Sequence, residues 1–302
     1  MHFKNKIINF CWIFFSLLYC GISGIAYASS VTYLKVNTAL AHVNNATLSL
    51  TKTDKVSDEN IQLSVQALHK NEFKPRHLLS ASAQIETTKY HALSSLDEQS
   101  IQIGLGYAWQ PYFGFSAPVY NIGLKYLSKT NNTHARNNNT WQINTSVSKR
   151  LTHKLTGSLA LQAQNSEAQH AVFDNNELSI LGQLSYRFNQ HTTWFSQIRF
   201  AKGDITSINR TTNCQAQMTE LYYNADTYAE KKWQDQAMNQ LHCGDWWAYR
   251  YEANTRSGSI GINYTLAPTH QITLLLKNIS SEVSKNLSYR NNVIKLNYYT
   301  YW

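Results

Sequence analysis

An all-β fold, an antiparallel transmembrane β-barrel of about 12 strands, is what this 302-residue sequence predicts, and three observations carry the prediction. Segments of roughly ten residues alternate apolar and polar side chains with a period of two, and their polar faces hold small neutral groups more than charges. The connections between those segments alternate between short and long. The chain also finishes on an alternating, strongly apolar stretch, NVIKLNYYTYW, with tryptophan as its last residue.

Composition narrows the class first. With 12 Gly, 4 Pro and 13% aromatics there is material for one ordered domain and little for linkers, which excludes a disordered or collagen-like chain. Charged residues reach only 15%, below the usual quarter, at a mean hydropathy of −0.41.

The N-terminus reads as an export signal. MHFKNK is a basic n-region, IINFCWIFFSLL an apolar h-region, and Ala26-Tyr27-Ala28 a small-x-small site before Ser29, so residues 1–28 are expected to be cleaved. Cleavage removes Lys4, Lys6, Cys11 and Cys20 and lowers the net charge from +9 to +7. Cys214 and Cys243 remain, an even pair in an exported chain, and a disulfide between them is the expected outcome.

Twelve strands are expected near 45–55, 60–70, 77–90, 100–111, 118–129, 139–150, 155–168, 176–188, 192–206, 255–267, 270–283 and 289–302. The stretch 177–188 is representative: Leu178, Ile180, Gly182, Leu184, Tyr186 and Phe188 form one face, and Ser179, Leu181, Gln183, Ser185 and Arg187 the other. Segment 29–44 also alternates. It is assigned to the periplasm or to an extension of strand 1, because a thirteenth strand would put the two termini at opposite ends.

Tight links fall at 151–154, 189–191 and 267–269, and longer polar ones at 91–99, 130–138, 166–175 and 205–254. Short turns at one end and long loops at the other fit an outer-membrane barrel whose turns face the periplasm. Tyr107, Trp109, Tyr186, Phe188, Trp194, Tyr264 and Trp302 gather near turn ends, and Tyr126, Trp141 and Phe200 near loop ends, as interfacial belts require.

With Ile294, Leu296, Tyr298 and Trp302 on one face, NVIKLNYYTYW resembles the closing strand of Gram-negative outer-membrane β-barrel proteins. The resemblance covers about residues 45–302 and has a porin-like architecture, without a specific family. It implies location in the outer membrane and recognition of the terminal aromatic, with Tyr298 and Trp302, by the barrel-assembly machinery. Phe is the commoner last residue, and Thr300 stands where an apolar or Tyr residue is usual.

Strand parity points Lys125, Arg187, Arg199, Lys277 and Lys295 into the lumen, with Glu86 the clear inward acid. Arg199, Lys277 and Lys295 each lie seven residues from a strand end and so near mid-height. In an open pore such cations favour anions. In a filled lumen they pair with Glu86, backbone carbonyls or plug residues.

The loop 207–254 is expected to be an extracellular lid, partly helical over 217–242 and tied by the disulfide. His242, Asp204 and Asp245 lie in or beside it without a catalytic spacing, so no enzyme is expected.

No phosphate loop, zinc-finger spacing or dinucleotide fingerprint is present, and no cofactor, metal or nucleic acid is expected. The positive charge implies contacts with outer-membrane lipid and lipopolysaccharide phosphates. These residues together point to a small porin-like channel for small solutes with a weak anion preference. The alternative is a non-conducting barrel acting as a surface receptor, assembly partner or outer-membrane hydrolase.

Overall fold

The protein is described here from a computed structural model, which covers residues 29–302 except 52, 216, 220–227, 285 and 286. The expected export signal lies outside the described residues.

Among the described residues there are thirteen strands: β1 (Ser29–Val43), β2 (Asp58–Lys74), β3 (His77–Tyr90), β4 (Glu98–Trp109), β5 (Val119–Asn131), β6 (Asn138–Arg150), β7 (Leu155–Ala168), β8 (Asn175–Arg187), β9 (Thr192–Thr212), β10 (Lys231–Gln234), β11 (Asp245–Ala267), β12 (His270–Ser284) and β13 (Leu287–Tyr301). A six-residue helix, α1 (Gln236–Leu241), follows β10. Consecutive strands pair antiparallel from β1 to β9, β9 pairs with β11, and β13 returns to β1, so twelve strands close a barrel. The remaining strand, β10, pairs with β11 outside the ring at Lys231↔Arg250 to Gln234↔Trp247.

The last residue completes the closure. Leu34 and Trp302 exchange backbone hydrogen bonds, each 2.9 Å, beside the Lys35↔Tyr301 pair that begins the β1–β13 ladder. No helix among the described residues is long and apolar enough to cross a membrane, and the crossing falls to strands.

The membrane face is the alternating apolar set. Leu105, Leu178, Ile198 and Ile260 are among its most exposed members, Leu105 at 66%. Aromatic pairs mark both margins: Tyr126 and Trp141 have ring centroids 4.8 Å apart toward the long loops, and Trp109 and Tyr120 5.4 Å apart toward the short turns. Phe188 and Trp194 stack at the same turn margin. Hydroxyls of Tyr107 and Tyr298 there meet His77 and His270 at 2.7 and 2.8 Å.

Two expectations change. The first strand is Ser29–Val43, not 45–55, so segment 29–44 is a wall of the barrel rather than a periplasmic segment. Residues 44–57 form a loop, because Asn45 turns the chain on itself: its Oδ1 accepts from Ser49 N–H and its Nδ2 donates to the Ser49 carbonyl. The strand count and the shared end of both termini survive this shift.

The second change concerns β9 and β11, which run to 21 and 23 residues where the other barrel strands have 12 to 17. They stay paired from Asp204↔Glu252 as far as Thr212↔Asp245, about 30 Å of ladder beyond the end of β8. Gly203 permits the departure, since a Cβ there would lie 2.0 Å from the Asn176 carbonyl oxygen on β8.

Leu105→Arg places a charge on the membrane face near the middle of β4 and is expected to cost about 2–4 kcal/mol, whereas inward Gln162→Arg costs far less. Urea unfolding of the barrel refolded in vesicles measures both, and equal losses would contradict the assignment of faces.

Candidate functional site

The interior divides into a polar shaft and a packed lid. By strand parity the inward residues along the shaft are amides, hydroxyls and small groups. Arg199 on β9 forms a salt bridge with Glu177 on β8. Lys277 on β12 lies within electrostatic reach of both and of Lys295. Lys295 on β13 donates to Gln62 on β2 and feels Glu86. Glu86 also accepts from Gln84 Nε2 at 3.0 Å.

Lys295, Gln62, Gln84 and Glu86 border a polar cavity of about 170 Å3 between β13, β1, β2 and β3, also lined by Lys35, Asn37 and Tyr299. That volume holds a few waters.

The remaining expected cations sit apart. The Lys125 stem lies against the backbone of Gly104 on β4, where an added Cβ would stand 3.5 Å from Lys125 Cγ. Arg187 ends β8 at the short-turn rim and is exposed. Arg199, Lys277 and Lys295 are thus gathered, while Lys125 and Arg187 are not part of that group.

Two participants escaped the sequence reading. Glu177 has the same parity as Ser179 through Arg187, so its inward direction was available in the 177–188 pattern. Lys35 was hidden by the assignment of its segment to the periplasm; its ammonium lies 4.2 Å from the Tyr299 ring centroid.

The lid is built from five connections. Residues 44–57, short 3-10 turns at Ser94–Leu96, His134–Arg136 and Ala171–Phe173, and the β9–β11 extension meet over the long-loop mouth. Three apolar clusters hold them. Leu93, Ile208, Met238 and Trp246 form one, Tyr249, Tyr251 and Leu287 a second, and Val172, Phe173 and Ala248 a third. Among the described residues the apolar clusters therefore lie in the lid, formed by loops and the extended strands, and not in the barrel wall.

Charge fixes the register of the lid. Asp235, fully buried, caps α1 through a 3.1 Å bond from Met238 N–H and receives Arg136 Nη2 at 2.8 Å from the β5–β6 connection. Asp54, 1% exposed, receives Arg210 Nε at 2.8 Å and Arg210 N–H at 3.0 Å. Asn209 Oδ1 accepts from Ser49 Oγ and Leu50 N–H, and Ile208 N–H donates to the Thr47 carbonyl. Each strut joins the β9–β11 extension to a loop from another part of the ring.

The Cys214–Cys243 disulfide closes the extension across a sequence separation of 29. On chain entropy a loop of that size is worth about 3–4 kcal/mol against an open one. Gly244 follows with φ of 96°, a conformation that glycine accepts without a Cβ clash. Of the expected helical middle, 217–242, the described residues give a helix at Gln236–Leu241, a helical residue at Tyr228 and a strand at Lys231–Gln234. Residues 220–227 lie outside the described set.

The three groups weighed for catalysis go to separate contacts. Asp204 accepts from Asn176 N–H and Nδ2, His242 rests on Trp246 at 5.8 Å, and Asp245 collects donors in the lid. Burial raises the Asp245 carboxyl pKa, but hydrogen bonds from Trp247, Gln234, Thr211 and Asn239 outweigh it and hold the group below its ordinary value.

Breaking one strut tests the lid. Arg136→Ala leaves Asp235 buried without its cation and is expected to destabilise the lid by about 3 kcal/mol. Limited proteolysis within 207–254 reads the opening, and unchanged cleavage would show that the pair does not hold the lid.

Acid offers an independent check. A depressed carboxyl stabilises the fold above its unfolded pKa, and that contribution disappears as pH falls through the folded pKa. Asp245→Asn is therefore expected to flatten the acid limb of lid opening, followed by hydrogen exchange at 245–250 against pH.

Comparison with known proteins now adds to the geometry. The family model described as surface lipoprotein assembly modifier matches residues 27–218. No curated protein matches significantly. Among solved structures, an outer-membrane channel of Pseudomonas putida F1 aligns with a TM-score of 0.60 at 10% identity over 93% of this chain and 98% of that one. An anion-selective porin from Comamonas acidovorans aligns at 0.43 with 7% identity over 91% and 100%, and the KdgM porin, solved with a disordered oligogalacturonate, at 0.46 with 9% over 88% and 98%. The likeness to the Pseudomonas putida channel shows a barrel fold of porin-like architecture.

Proposed function

Because the chain belongs to the surface lipoprotein assembly modifier family, we propose that this outer-membrane barrel takes part in placing lipoproteins at the cell surface, with the folded lid as its resting, closed state. The observation that carries the reading is the lid itself: three apolar clusters, two buried ion pairs and a disulfide hold the long loops together over the mouth. A general diffusion pore gains nothing from so much buried structure across its opening. A barrel that handles a client and must not leak does.

In this reading the short turns face the periplasm, the lid faces outward, and the client is an acylated protein arriving from within. Recognition of Tyr298 and Trp302 by the barrel-assembly machinery belongs to the same picture. Trp302 is 66% exposed on the closing strand, within reach of another protein.

A weakly anion-preferring channel is the second reading, and the gathering of Arg199, Lys277 and Lys295 against the inward acids Glu177 and Glu86 favours it. The two differ in what the closed protein conducts.

Deleting the chain from its host, labelling fatty-acylated proteins metabolically and shaving intact cells with protease tests the first. At least one acylated protein is expected to lose protease accessibility and to regain it when the wild-type chain is restored. Retention of every surface lipoprotein would refute the assembly role. In a planar bilayer the wild type is expected to be nearly silent, and Cys214→Ser/Cys243→Ser with Arg136→Ala to conduct. Steady wild-type conductance whose anion preference reverses in Lys277→Glu/Lys295→Glu would establish the channel instead.

A further inference from the structure

The short-turn end carries a feature that neither reading uses. Four of its connections are two to four residues long, but β4 and β5 are joined by nine, 110–118, with the sequence QPYFGFSAP. Tyr112, Phe113 and Phe115 are exposed there, Phe113 at 75%. Such exposure of three aromatics is costly in water unless something covers them.

Cations from the adjoining turns sit on these rings. The Arg76 guanidinium lies 5.0 Å from the Phe113 centroid and donates to the Pro111 carbonyl. Arg150 lies 5.6 Å from the Phe115 centroid, and His153 packs on Phe115 at 4.6 Å. Three successive turns thus form one rim.

That rim is strongly basic. Lys74, Lys149, Arg150 and Arg187 lie at strand ends here, and Arg76 and Lys154 in the turns between them. The acidic side chain among these turns is Glu72, whose Oε1 already accepts from Arg76 N–H. Among the described residues almost all other carboxylates lie toward the long-loop end, so their positive excess is concentrated at the turns.

An apolar groove continues from the rim along the membrane face. It measures about 380 Å3 and runs between Trp109, Tyr120 and Ile122 on one side and Val147, Leu159 and Leu161 on the other. Rings and guanidinium groups at an aqueous boundary, with an open apolar groove beneath, match one ligand chemistry: an anionic headgroup with an acyl chain.

We propose that the 110–118 turn, with Arg76 and Arg150 and the groove below it, is a binding site for an anionic phospholipid. The headgroup phosphate pairs with the two guanidinium groups, the three aromatic rings enter the interfacial layer, and one acyl chain lies along the groove. An acidic protein surface would satisfy the charges but not the groove, which is why lipid is favoured. The site is independent of the lipoprotein reading, since it needs only a barrel in a membrane.

The experiment compares unfolding of the refolded barrel in phosphatidylcholine vesicles, in phosphatidylcholine–phosphatidylglycerol vesicles, and in phosphatidylcholine vesicles with added inorganic phosphate. The anionic lipid is expected to slow unfolding roughly tenfold, the order set by two surface cations on an anionic leaflet, and inorganic phosphate to have no such effect. Arg76→Gln/Arg150→Gln is expected to abolish the difference, while Arg290→Gln, which removes an exposed cation toward the other end, retains it. An environment-sensitive dye on Phe113→Cys is expected to report a less polar setting in the anionic vesicles. No lipid dependence in the wild type, an equal loss in Arg290→Gln, an equal effect of inorganic phosphate, or a dye that stays in water would each overturn the proposal.

Discussion

Hydrocarbon offers no partner for a peptide N–H or C=O, and that constraint governs the rest of the molecule. A sheet can cross only if it has no edge, so the ring must close, and it closes on the weakest part of any chain, its ends. The Leu34–Trp302 exchange supplies that closure from the terminal residue inward. Losing the last turn of β13 would expose a row of unpaired groups on β1 to lipid. The apolar ending of the sequence is thus a requirement of the ladder as well as of the membrane face.

Closure also explains where the core lies. Each barrel strand spends one face on lipid and the other on the lumen, leaving no second apolar layer for a conventional core. Buried Leu93, Val172, Met238, Trp246, Tyr249 and Tyr251 all belong to the lid instead. The barrel is a rigid support that brings five loops into one place, and the loops then fold on one another. Because the lid packs as a small globular unit, its ion pairs are the buried kind, with Asp235 and Asp54 almost wholly withdrawn from water. Such pairs favour one arrangement strongly and resist partial loosening, so the lid is better suited to two states than to graded opening.

The extent to which this was legible in the sequence follows from how local each signal is. Period-two patterning in 177–188 and 100–109 marks strands because the two faces meet different solvents, and the twelve-strand ring follows from it. The first strand was misplaced because 29–44 and 45–55 both alternate. The deciding contact, Asn45 folding back on Ser49, is a side-chain preference that periodicity does not register. Parity alone assigns Lys125, Arg199, Lys277 and Lys295 to the lumen. Their grouping was less visible, since the Arg199–Glu177 bridge depends on the register of β8 against β9. The lid was least legible of all. Its contacts join residues such as Arg136 and Asp235, 99 positions apart, and no local pattern announces them.

The distribution of charge ties the two ends together. A net positive chain in an outer membrane suggests cations facing lipopolysaccharide, yet the lid end pairs its cations with carboxylates: Arg136 with Asp235, Arg210 with Asp54, Arg250 with Glu230, Lys89 with Asp97. Those pairs are committed to holding loops together and leave little field for a ligand. At the turns there is no lid to hold, and the cations stand beside aromatic rings rather than acids. The same residue types therefore do different work at the two ends, internal at the lid and outward at the rim. If the lid rests closed as proposed, the basic surface left to meet a charged partner is on the side of the short turns.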